Sequence, residues 1–319
     1  MTKSQDVGHD FLVIGSLAQK SVRLHTLDIS VPHDPDLHWG EAEQQEFLER
    51  LGASRIQTLK LRNVARWPKL ILGMSRIKEL SILFPGTESQ DWVHDESLSL
   101  PLRNIRFLEL SGAESNESLL EFLGSPAFDF ANLRFLQLKF LGWMYFTMKP
   151  AFDLFLRGVG FYLEEVIIIF PNALRGKILG REYSSCLSDV IAQRTLSHFH
   201  RLKRISIQIP SVFPLGILRA RELLTTVTAA GLQEINITLS LDKNSPSVDE
   251  LGGIPDWRML DDWFSDQVRF SSLGRFQIRW LASTNGHPGT IMEPFVSAVN
   301  SQMYALNGRG CVYHANAGR

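Results

Sequence analysis

The chain has 319 residues, 44% of them hydrophobic and 21% charged, which supplies one or two sizeable cores and lies outside the disordered range of composition. A formal net charge of −1 excludes a global field that would gather nucleic acid or an anionic membrane. The two cysteines, Cys186 and Cys311, are too few and too far apart for a disulfide framework, which points to a reducing compartment, cytoplasm or nucleus.

At the N-terminus the apolar run Phe11–Ile14 is too short for a signal peptide and follows Asp6, His9 and Asp10. No apolar stretch approaches the ~18–20 residues of a membrane helix. From residue 24 one short pattern recurs: apolar, two variable residues, apolar, one variable, apolar. It reads LHTLDI from Leu24, IQTLKL from Ile56, IKELSI from Ile77, IRFLEL from Ile105 and LRFLQL from Leu133. It continues as LEEVII from Leu163, LKRISI from Leu202, LQEINI from Leu232 and LGRFQI from Leu273, with a degenerate tenth copy, GCVYHA, around Cys311. The nine starts are 21 to 41 residues apart, about 31 on average. A strand plus a crossover helix needs at least ~20 residues to return to a parallel neighbour, whereas a hairpin returns after a few.

The segments between the cassettes carry apolar residues at helical spacing: 41–52, 115–124, 150–162, 186–200, 216–231, 256–270 and 292–306. Gly52, Gly124 and Gly231 stand where helices end, and Pro150 where one begins. Pro32, Pro85, Pro171 and Pro210 each fall eight residues past a cassette start. Proline has no amide hydrogen for a ladder, so it ends the strand there.

These cassettes resemble the strand consensus of the leucine-rich-repeat superfamily over roughly residues 24–282. The ladder position that follows the consensus holds Pro, Val, Ala, Leu or Ser rather than Asn or Cys. Irregular repeats with Trp- and Phe-containing connectors are similar to the C-terminal half of fungal F-box proteins, although no F-box is recognisable. The resemblance implies an α/β fold: an irregular solenoid, a horseshoe with a parallel sheet on the concave face and helices on the convex face, as one domain over 1–319. It implies a non-catalytic protein-interaction scaffold, the substrate-recognition array of a ubiquitin-ligase adaptor. Skp1 and cullin partners are expected only where an F-box lies upstream.

The chain has no G-x-S-x-G, H-E-x-x-H or C-x-x-C, and Gly176–Lys177 has Pro171 where a phosphate loop needs its first glycine. Cys186, His198 and His200 read as helix residues on different faces rather than as metal ligands. His33–His38 reads as a polar loop. Asp261, Asp262 and Asp266 read as the solvated face of a helix whose other face carries Trp257, Leu260, Trp263 and Phe264. The basic groups Arg62, Arg66, Lys69 and Arg201, Lys203, Arg204 read as solvated edges, and the sequons at Asn116 and Asn236 as chance matches. No catalytic residue, cofactor or metal is therefore expected. A hydrolase with a loop-built site and a purely structural assembly subunit are the competing readings.

Strand side chains alternate faces, so cassette positions 1, 4 and 6 point to the core and positions 3, 5 and 7 to the open face. The central copies place Leu83, Phe107, Glu109, Phe135, Gln137, Lys139, Ile167 and Ile169 there. An apolar centre with a polar rim is the anatomy of a protein interface. These eight residues are the expected contact set for a protein partner, the alternative being that a loop or the C-terminal tail covers them.

Overall fold

Nine times the apolar cassette becomes a parallel β-strand, and each strand starts two residues into its cassette. The computed structural model describes residues 16, 20, 24–30, 46–47, 49–51, 54–62, 71, 74–83, 103–113, 116–140, 150–170, 195–209, 220–241, 256–282, 296–310 and 312–316. The expectations for the four cassette-terminal prolines, His33–His38, Gly52, Cys186 and Cys311 lie outside these residues. The architecture is α/β, in two compact units, Met1–Arg134 and Phe135–Arg319.

The first unit holds β1 (Thr26–Ser30), β2 (Thr58–Arg62), β3 (Glu79–Leu83) and β4 (Phe107–Ser111), each parallel to the next. Pairing is residue for residue, Thr26 to Thr58 to Glu79 to Phe107, with no slip. A one-residue slip would turn every apolar side chain outward, so the buried face fixes the register. Leu27, Ile29, Leu59, Leu61, Leu80, Ile82, Leu108 and Leu110 form that buried face. The second cassette residue joins successive repeats: the His25 carbonyl accepts from the Gln57 and Thr58 amides, and Gln57 and Lys78 repeat the arrangement.

A side-chain ladder reinforces this at a place the consensus does not predict. Asn104 and Asn132 each immediately precede a cassette, and their amides donate to the Ser75 and Arg103 carbonyls at 3.2 and 2.7 Å. Helix α1 (Glu117–Leu123) follows β4. The Asn116 side chain caps it by accepting from the Leu119 amide at 2.9 Å. Leu119, Leu120, Phe122 and Leu123 are buried beneath it, and Gly124 ends it.

The second unit holds β5 (Phe135–Lys139), β6 (Glu165–Ile169), β7 (Arg204–Ile209), β8 (Glu234–Leu241), β9 (Arg275–Ala282) and β10 (Val312–Asn316). All are parallel and paired in chain order. Strand β10 is the degenerate tenth copy. Helix α2 (Pro150–Gly160) opens on Pro150 and buries Phe152, Phe155, Leu156 and Val159. Gly160 is required where it stands, because a Cβ there would come within 2.3 Å of the Phe199 ring. Thr195–His198 form a turn of 3-10 helix.

Two helices, α3 (Asp256–Phe264) and α4 (Tyr304–Gly308), correct the expectation for the acidic group. Asp261 is buried, not solvated. Its two carboxylate oxygens accept from the Ala305 and Leu306 amides at 2.8 Å each, satisfying donors that begin α4 and have no partner within it. Asp262 and Asp266 are exposed as expected. Arg309 donates back to the Phe264 and Leu273 carbonyls.

Candidate functional site

Each open face is built from positions 3, 5 and 7 of adjacent cassettes, brought side by side by the zero-slip pairing. All eight residues of the expected contact set are half-buried. In the first unit, Leu83 lies between Arg62 and Ser111, Phe107 stands opposite Glu79, and Glu109 stands opposite Ser81. Arg62 and Asp28 form an ion pair at 3.2 Å across β1 and β2, and the Thr58 hydroxyl donates to Glu79 at 2.9 Å.

Two positions assigned to this face are corrected. Ser81, paired with Lys60 and Glu109, and Ser111, paired with Leu83, are buried. The Ser111 hydroxyl has no hydrogen-bond partner among the described residues. Gly112, at φ 76°, turns the chain away directly after it, a left-handed conformation that favours glycine.

In the second unit, pairing sets Gln137 beside Ile167 and Lys139 beside Ile169, with Phe135 beside Glu165. On the far side of β6, Ile167 and Ile169 meet Ser206 and Gln208. The two isoleucines thus form a short apolar strip bordered by polar strands. Beyond it lies a feature that position-by-position reading missed. Position 3 of cassettes six to nine alternates Glu165, Arg204, Glu234, Arg275, and pairing lines the four up in one row. Arg204 meets Glu165 at 2.9 Å and Arg275 meets Glu234 at 3.4 Å. The signal is present in the letters LEE, LKR, LQE and LGR, once the cassettes are aligned.

Glu165 is the group this row perturbs. Burial pushes its carboxyl above the usual value, Arg204 pulls it down and Glu234 pushes it up, with a net rise. A second row holds Ser206, Asn236 and Gln277. The Asn236 amide donates to Ser206 at 3.3 Å and to Glu234 at 3.2 Å, while its carbonyl oxygen has no partner among the described residues. Gln277 is buried on this face, and it accepts from Arg279 at 3.1 Å. The face offers alternating charge, amide groups and a small apolar strip, which suits recognition of another polypeptide.

His198 is half-buried in its 3-10 turn, and the exposed His200 packs against Phe161. Among the described residues no group of three or more His, Cys, Asp or Glu side chains is gathered as a metal site would require. Nor is any described helix long and apolar enough to cross a membrane. No family model matches the chain, and no curated protein matches it.

Proposed function

We propose that this chain is a leucine-rich-repeat-type solenoid that acts as a protein-interaction scaffold, receiving a protein partner on the open faces of its parallel strands. One observation carries the reading: within each unit every strand pairs in register with the strand of the next cassette, so the strands of that unit present their variable positions to one face. A scaffold of constant apolar positions with a variable polar face is what repeat proteins use to hold a partner. In the second unit the contact set is Phe135, Gln137, Lys139, Ile167 and Ile169; in the first it is Leu83, Phe107 and Glu109. The likeness to the repeat halves of fungal F-box proteins supports the narrower role of substrate recognition for a ubiquitin ligase.

The test uses variants confined to half-buried positions. Ile167→Ser with Ile169→Ser should abolish recovery of proteins that the wild type retains in affinity purification, while thermal unfolding shifts by only a few degrees, about 1 kcal/mol of stability. Recovery of Skp1-like and cullin components with the wild type would support the adaptor role. A collapse of stability would show these isoleucines to be core, and retention of all partners would remove the face from function.

A further inference from the structure

Helix α2 buries Phe152, Phe155, Leu156 and Val159, and its opposite face carries Leu154, Arg157 and Gly158, which stand at i, i+3 and i+4, hence on one stripe. Phe161 follows in the turn directly after the helix. Leu154 is 68% exposed and Phe161 50%. Gly158 stands between them along the chain. Nothing lies within 4 Å of a Cβ built on Gly158. Glycine inside a helix costs ~1 kcal/mol relative to alanine, and no packing among the described residues requires it. Two apolar knobs flank a bare stretch of backbone that leaves room for close approach from outside.

The surroundings of the stripe are cationic. The Arg201 guanidinium lies 5.4 Å from the centre of the Phe161 ring, and His200 meets the same ring edge-on. Arg157 stands on the stripe, bound to Asp153 at 2.6 Å, whose side chain is buried. Glu164 nearby is paired with Lys203 at 2.7 Å.

We infer that this stripe is a docking site for an acidic amphipathic helix of a partner protein. Its small residues cross over Gly158, its apolar residues lie against Leu154 and Phe161, and its carboxylates face Arg157, His200 and Arg201. Close helix crossings need a small residue at the contact point. A lipid surface would gain nothing from the gap, which favours a helix over an anionic bilayer as the occupant. The site is separate from the open face of the strands and does not depend on it.

The probe is a fluorescein-labelled synthetic helix of about 20 residues with a Leu/Ala seam flanked by glutamates, titrated with the full chain and followed by anisotropy. A version with lysines in place of the glutamates and vesicles containing phosphatidylserine are the comparison arms. The acidic helix should bind, and the lysine version should not. Gly158→Leu should weaken binding at least about tenfold without lowering the melting temperature, since open space surrounds that position. Leu154→Ser and Phe161→Ser should each weaken it by a similar factor. The inference is overturned if the acidic helix shows no binding below about 1 mM, if Gly158→Leu binds it as tightly as the wild type, or if the lysine version binds equally well. Capture of vesicles without capture of the helix overturns it too. Unchanged behaviour of Ile167→Ser with Ile169→Ser toward this probe separates the site from the strand face.

Discussion

Glu165 stands between an apolar neighbour on β5 and a cation on β7, and its chemistry follows from that position. Burial raises its carboxyl above the ordinary 4.5, with Arg204 opposing the rise and Glu234 adding to it. The folded protein therefore tolerates the neutral form better than the charged one. Its contribution to stability is complete below the unfolded value and is lost as pH rises through the elevated folded value. Glu165→Gln removes that loss. The melting temperature of the variant relative to the wild type should climb between about pH 4 and pH 8, followed by circular dichroism. A relative fall over the same range would mean that the pair with Arg204 outweighs burial.

Helix ends show why the elements were only partly legible. The strands were legible because a period of two with one buried face leaves a single register, and the cassettes state it in their own letters. Helix limits were less so. The pattern over 216–231 runs to the end of the segment, yet helix stops after residue 224. There the Thr225 and Thr226 hydroxyls donate to the Glu222 and Leu223 carbonyls at 2.8 and 2.7 Å, competing with the backbone. In 256–270 the helix ends at Phe264, and the Asp266 carboxylate then accepts from the Val268 and Arg269 amides. The pattern over 292–306 is broken at Met303 and restarts on the long-range contact from Asp261. That contact joins residues 44 and 45 apart in sequence, and no local signal announces it. Asp261→Ala leaves two amides without their acceptor and should cost about 2–3 kcal/mol in urea unfolding. A cost below about 0.5 kcal/mol would show the carboxylate to be dispensable.

Within each unit, every strand hydrogen-bonds to the strand of the adjacent cassette in parallel. Contacts between strands are therefore separated by one repeat, and the order of the cassettes in the letters is the order of the strands in space. This is why the strand order within each unit is legible in the sequence. The faces could be read only in part: alternation assigned Phe135, Ile167 and Ile169 to the open side, where they are half-buried, but it gives no sign that Ser81, Ser111 and Gln277 are covered. Neighbours across a sheet, not along the chain, set that outcome.

The row Glu165, Arg204, Glu234, Arg275 has a period of two repeats, so the second unit has a parity. Copying residues 165–233 in tandem would insert two strands and keep opposite signs adjacent. Copying 204–233 alone would set arginine against arginine, a destabilising opposition of like charges. The longer duplication should melt above the shorter, and glutamine in place of the inserted arginine should recover part of the difference. Equal melting of the two duplications would mean that the charges register no neighbour at all. If parity holds, growth of this unit by repeat duplication is constrained to even steps.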